Sequence, residues 1–282
     1  MKILQQVDFF ITLFCVIDDL YKKIAPYLLK KTTNVGRKVK LSTPELITIG
    51  IIFMLTDCNT FKGFYRIFRL TNMFSELPEY SRLLRNIKEA TGITVVMLKV
   101  LITMNRARSE GKIKVIDSMP LVVCKNKRIF DYKVTEYANR GKSSMGWFYG
   151  FKLHAVVSED GSLLNLRITP GNISDKNHEL VLKLFKGLTG LAVGDGGYLS
   201  KKLRNKLIDK GILFITGLKR TMKKLMTKTQ HKLLKLRQII ETVFGNIKYR
   251  TGCESSLPRS LTGYMWRYIN AVFLYSLFYQ AF

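Results

Sequence analysis

The chain is 282 residues long and 47% apolar, which argues against general disorder and leaves room for one large domain with an appendage or two modest ones. Forty-seven Lys and Arg against twenty Asp and Glu give a formal net charge of +27, an excess that resists self-association and draws polyanions: DNA, RNA or an anionic membrane surface. Cys15, Cys58, Cys124 and Cys253 form no CxxC pair and no zinc-finger spacing with the three histidines, so no disulfide framework is expected and a reducing cytoplasm fits.

Residues 1–110 read as helical. Phe9–Ile17 is a short apolar run bounded by Asp8 and by Asp18-Asp19, with no small-residue cleavage site; it reads as a helix of a folded domain, not a signal peptide. Ser42-Thr43-Pro44-Glu45 has the form of a helix start, with a Ser cap, Pro in the first turn and Glu at the third position. Phe61–Leu70 mixes Phe61, Phe64, Tyr65, Ile67 and Phe68 with Lys62, Arg66 and Arg69. Such a helix either lies on nucleic acid or packs its aromatic face inward, and the residues leave both open. Arg82, Arg85 and Lys88 form a second basic cluster. There is no firm helix-turn-helix signature.

After Gly111 the pattern changes to strands. Ile113, Val115 and Asp117 share one face of a run ending near Ser118, and a polar, irregular stretch covers about 125–144. Alternation at Tyr149, Phe151, Leu153, Ala155 and Val157, then Asp160-Gly161, then alternation at Leu164, Leu166 and Ile168, predicts a hairpin. A helix over 176–186, a strand over Leu191–Val193, a helix over 200–210 and a strand over Ile212–Ile215 follow. A long helix is expected over Leu233–Tyr249, and another from about Leu261. That order predicts a mixed sheet with helices packed on it. The apolar C-terminal stretch carries Arg267, Asn270 and Gln280 and is expected to pack as an amphipathic helix, not to span a membrane.

Acids are scarce where the chain is most basic. Between Leu199 and Arg250 there are fifteen Lys or Arg and only Asp209 and Glu241. Asp209 ends an exposed, Lys-rich helix. Glu241 does not have that reading. On an ideal helix, with Arg237 at zero, Glu241 falls at roughly 40° and Lys248 at roughly 20°, while Leu233, Leu236, Ile240, Val243, Phe244 and Ile247 occupy roughly 240° to 340°. Glu241 thus borders a core stripe and a cationic stripe; an Arg237–Glu241 ion pair is the plainer alternative. Asp117 shares a strand face with aliphatics, where an ionised carboxylate is costly unless paired or metal-bound. Asp195 closes a short apolar strand before Gly196-Gly197, a common place for a ligand site, with a simple turn aspartate as the plainer alternative. Three such acids suit Mg²⁺ or Mn²⁺, two ions of which promote phosphoryl transfer.

Val-Ile-Asp117-Ser-Met-Pro, Tyr149-Gly-Phe-Lys-Leu-His154, Thr169-Pro-Gly-Asn, Gly194-Asp195-Gly-Gly-Tyr198 and Arg237-(three residues)-Glu241-(six residues)-Lys248 occur in that order. Over about 110–250 this resembles bacterial insertion-sequence transposases of the DDE type, with weaker support from the helical N-terminal part. The resemblance implies an α/β, ribonuclease-H-like mixed sheet flanked by helices over 111–282, preceded by a helical, DNA-binding N-terminal domain over 1–110. It implies that Asp117, Asp195 and Glu241 are catalytic and hold two Mg²⁺ or Mn²⁺ ions, and that Arg237 and Lys248 contact the transposon end. It implies binding to terminal inverted repeats and target DNA, a dimer or higher assembly on DNA, and a nucleoid-associated cytoplasmic protein. Many relatives have a Tyr three residues before the Arg; here that position is Leu234, so the tyrosine's role is not carried over.

Other residues are weighed against simpler roles. Lys152 is expected to face DNA from its strand. His154 is read as a satisfied sheet histidine in preference to a metal ligand. Trp147 and Tyr149 either stack on a base or fill the core. Asp131, Glu136, Asp175 and Glu179 are rival acids read as solvated. The competing functions are a catalytically silent transposase-derived DNA-binding protein, a basic membrane-associated protein using the C-terminal apolar segment, and a nuclease without strand transfer.

Overall fold

The computed structural model describes residues 3–28, 40–58, 60–74, 76–124, 126–131, 137–143, 146–217, 227–253, 258 and 260–279. Among them, helices α1 (Ile3–Ile24), α2 (Thr43–Leu55), α3 (Phe61–Leu70), α4 (Tyr80–Glu89) and α5 (Thr91–Arg108) precede the first strand. The α2 cap is the expected one. The Glu45 N–H donates to Ser42 Oγ at 3.4 Å and the Ser42 N–H donates to Glu45 Oε2 at 2.6 Å. Past the cap, α2 is apolar on every side and is buried against α1, α4 and α10 (Leu261–Phe278). Ser42→Ala removes the cap and is expected to lower stability by about 1 kcal/mol, read as a lower urea midpoint with an unchanged slope.

The α3 helix packs its aromatic face inward, as one of its two sequence readings had it. Phe61, Phe64 and Phe68 are buried, with Phe61 edge-on to Phe53 of α2 at 5.2 Å between ring centroids. Lys62, Arg66 and Arg69 point to solvent beside exposed Ile67 and Leu70. The aromatic face packs and the basic face is open.

Strands β1 (Lys114–Cys124), β2 (Asn139–Ser143), β3 (Gly146–Ser158), β4 (Leu163–Pro170), β5 (Gly190–Gly194) and β6 (Ile212–Thr216) form one sheet in the order β2-β3-β1-β5-β6, with β4 also on β3. β1 and β3 are antiparallel; β5 is parallel to both β1 and β6. This is the mixed α/β sheet flanked by helices that was expected. The β3–β4 hairpin closes at Asp160-Gly161, where Gly161 takes φ +90°, a conformation that favours glycine, and the Ser158 N–H donates to Ser162 O at 2.9 Å. Asn139–Ser143, within the stretch that reads as polar and irregular, lacks apolar alternation and is a strand because β3 supplies its ladder.

Alternation along β1 and β3 divides the core. Val115, Met119, Leu153 and Ala155 face one layer with α9 (Gln238–Gly245) and α10; Ile116 and Val156 face the other with α6 (His178–Leu184) and α7 (Lys201–Ile208). A Cβ on Gly194 would sit 2.8 Å from Phe214 Cζ and 3.0 Å from Ile116 Cγ2, so the contact of β5 with its two neighbours requires glycine there.

Two expectations change. The single helix over Leu233–Tyr249 is three pieces: α8 (Lys228–Lys235), α9, and a π-helical turn over Asn246–Arg250. Around Leu236–Arg237 the chain tightens to i→i+3 bonds, such as Arg237 N–H to Leu234 O at 3.2 Å and Ile240 N–H to Arg237 O at 3.1 Å, which places a bend at Arg237. The C-terminal helix is buried along most of its length, including Arg267 and Asn270, and the Arg267 guanidinium lies 5.4 Å from the Phe53 ring centroid. Among the described residues no helix is long and apolar enough to cross a membrane, and the segment that a membrane-associated protein would need is occupied by the core.

Candidate functional site

The sheet register brings two acids together. Ile116 of β1 pairs with Gly194 of β5, and the next residue on each strand is an aspartate, Asp117 and Asp195. Parallel pairing therefore sets both carboxylates at the same end of adjacent strands, where open α/β sheets leave a crevice. The third acid, Glu241, lies in the first turn of α9, and Arg237 caps that helix from the bend.

All three acids converge on the Arg237 guanidinium. Nη1 is 3.1 Å from Asp195 Oδ1, and Nη2 is 3.6 Å from Asp117 Oδ2 and 4.0 Å from Glu241 Oε1. The i, i+4 ion pair weighed for Glu241 therefore exists, as the longest contact of a four-membered cluster. The exposures differ: the Asp117 side chain is 23% exposed, Asp195 53% and Glu241 66%. Burial pushes the Asp117 carboxyl up to about 6, against the Ser118 N–H and Arg237, which favour its charge. Asp195 Oδ1 also accepts the Gly196 N–H at 2.6 Å.

The donor set matches a hard divalent cation: carboxylate oxygens from three elements, already gathered by a positive group. As they stand, no group of three or more His, Cys, Asp or Glu among the described residues is close enough to hold an ion. The acids contact Arg237, so holding a metal requires the guanidinium to leave and the three to close in. Lys248 lies in the π turn with its ammonium 5.9 Å from the Tyr249 ring centroid.

Next to Asp117 in the chain, Ser118 joins a group of polar residues centred on Asp175. Asp175, read as solvated, accepts a hydrogen bond from Ser118 Oγ at 2.8 Å and lies 3.4 Å from Lys152 Nζ and 3.6 Å from His154 Nδ1. Lys152, expected to face DNA, is instead buried; its ammonium also donates to Ile173 O at 3.2 Å, so its charge is matched inside the protein. His154 is the satisfied sheet histidine that was expected, 2.9 Å from Thr169 Oγ1, and burial pulls its pKa down to about 4, which keeps it neutral. Tyr198 is buried, and burial, with the charges of Asp117, Asp175 and Asp195, holds its phenol protonated. One signal in the sequence pointed here. Lys152 and His154 share one face of an otherwise apolar strand, and a buried cation needs a counter-charge. Asp175→Ala is expected to cost about 1–3 kcal/mol by leaving the Lys152 donor poorly matched, seen as a lower unfolding midpoint, with Asp175→Asn intermediate.

Of the other rivals, only Glu179 has a described side chain. Glu179 is exposed and pairs with Lys183 at 2.6 Å. Glu136 lies outside the described residues. Tyr149 is buried, as the core reading had it, whereas Trp147 is exposed.

Taken together, the site is that of an α/β domain which gathers carboxylates at the open ends of parallel strands, inside a strongly basic chain. Residues 107–261 match the family model described as the transposase DDE domain, more than half of the chain. The chain belongs to that family. Among solved structures it is similar to the piggyBac transposase in a synaptic complex with hairpin DNA, at 10% identity and a TM-score of 0.41, over 76% of this chain and 50% of that one. The chain thus spans half the length of that protein. No curated protein matches it.

Proposed function

We propose that this transposase binds the inverted repeats at the ends of its own element, cuts DNA there and joins the freed end to target DNA. Asp117, Asp195 and Glu241 act as one set that holds two divalent ions, Mg²⁺ or Mn²⁺. The observation that supports this best is the convergence of the three acids, from two parallel strand ends and one helix, on a single cation. Bound ions supply charge to activate the attacking oxygen and to stabilise the leaving one.

The protein's own groups do the rest. With the acids holding metal, Arg237 would be free to contact the DNA backbone, and Lys248 would add a second phosphate contact from the π turn. In the first step water displaces the 3′-oxygen at the element's end and leaves a 3′-hydroxyl; in the second that hydroxyl attacks a phosphodiester of the target and displaces the target strand's own 3′-oxygen. The basic faces of α3 and α4 make residues 1–110 a DNA-binding region. Two ends must be held at once, which calls for a dimer or higher assembly, acting on the nucleoid in the cytoplasm.

The test is incubation of the purified chain with DNA carrying the repeats that flank its gene, with Mg²⁺ or Mn²⁺. The expected products are a nick at the repeat boundary with a 3′-hydroxyl and, with target added, joined strands. Specific binding without cleavage would instead mark a silent DNA-binding derivative, and cleavage without joining a nuclease.

A further inference from the structure

The β2 strand and the start of β3 form a basic, two-stranded edge of the sheet that the three-acid site does not use. From Tyr137 to Ser158 the chain has no acid. The register sets Lys142 opposite Trp147 and Arg140 opposite Tyr149, so both cations lie on the tryptophan's face. The Arg140 Cζ lies 5.1 Å from the Trp147 ring centroid and Lys142 Nζ 5.8 Å. Tyr149, two residues along on the same face, is buried, whereas Trp147 is 55% exposed. A large aromatic surface left accessible, with two exposed cations over its ring, is the combination that binds single-stranded nucleic acid: the ring stacks on a base and the cations hold phosphates. An apolar protein partner would have to desolvate both cations with no acid between Tyr137 and Ser158 to match them.

The position suits the same DNA. Alternation along β3 places Trp147 on the face of Ala155, the register partner of Asp117. Eight residues of strand span on the order of 26 Å, the length of about eight base pairs. Resting on the proposed transposase function, we infer that Trp147 stacks on an unpaired base of the element's end DNA while Arg140 and Lys142 hold the phosphates beside it.

The test is binding by the full chain, without divalent metal so that cleavage plays no part. The probes are the flanking repeat as a paired duplex and the same repeat with a three-nucleotide unpaired stretch placed about eight positions from the end. Trp147→Ala is expected to weaken binding to the unpaired probe by about five- to a hundredfold and to the duplex by less, with Trp147→Phe retaining most of the affinity. Arg140→Ala and Lys142→Ala should each reduce the slope of log affinity against log salt by about one. Unchanged melting temperatures exclude misfolding, since all three side chains are exposed. If the wild type binds the repeats and these variants bind both probes equally well with unaltered slopes, this surface is wrong and the transposase reading stands. If the wild type does not prefer the repeats over random DNA, both are wrong.

Discussion

Replacing any one of Asp117, Asp195 or Glu241 by its carboxamide is expected to lower DNA cleavage by about three orders of magnitude, because metal ions supply several kcal/mol of transition-state stabilisation and each ~1.4 kcal/mol is tenfold in rate. The carboxamides keep shape and remove one charge, so packing is not the cause. Three acids that act as one set should also be non-additive, with the Asp117→Asn, Asp195→Asn double variant scarcely worse than either single one. Metal-free DNA binding should hold or tighten, since each change makes a basic chain more basic. Asp209→Asn and Glu179→Gln are the controls, both in solvated contexts, and should cleave like the wild type. Losses that multiply in the double variant would mean three independent contributions and no shared ion.

The second large effect is the dependence of metal affinity on pH. Burial raises the Asp117 carboxyl to about 6, so between the ordinary carboxylate range and about 6 the metal-free folded chain holds a proton that the unfolded chain has lost. Stability from this group is therefore fully present at low pH and lost as pH rises through about 6. A divalent ion must displace that proton, so apparent affinity should fall about tenfold for each pH unit below 6 and level off above it. Calorimetric titration of Mn²⁺ at pH 5, 6 and 7, in buffers of different ionisation enthalpy, reads both the affinity and the proton released. In Asp117→Asn the affinity should be weaker throughout and flat across that range. A flat profile in the wild type would show that Asp117 is not a ligand.

Much of this was legible in the chain itself. The hairpin at Asp160-Gly161, the capping box at Ser42 and the short strand before Asp195 follow local rules that tertiary structure did not override. The pairing of Asp117 with Asp195 was legible only as a motif; the geometric reason is the register that matches Ile116 with Gly194, a long-range fact. Three features were hidden. The bend at Arg237 is set by packing, since the apolar stripe from Leu233 to Ile247 is equally good for a continuous helix. Asp175 looked solvated because its partners, Ser118, Lys152 and His154, lie on two other strands. Strand β2 has no apolar alternation, because its inner face is largely satisfied by Gly141 and by the ladder to β3. In each case the missing information was which distant residue stands opposite.

The central claim is that Asp117, Asp195 and Glu241 share bound metal. Fe²⁺ in place of Mg²⁺, with ascorbate and peroxide, generates hydroxyl radicals at the ion and cuts the polypeptide beside it. Cuts confined to the segments around residues 117, 195 and 241, competed away by excess Mg²⁺ and lost in Asp195→Asn, are the predicted result. Cuts elsewhere, or cuts that survive that substitution, would contradict it.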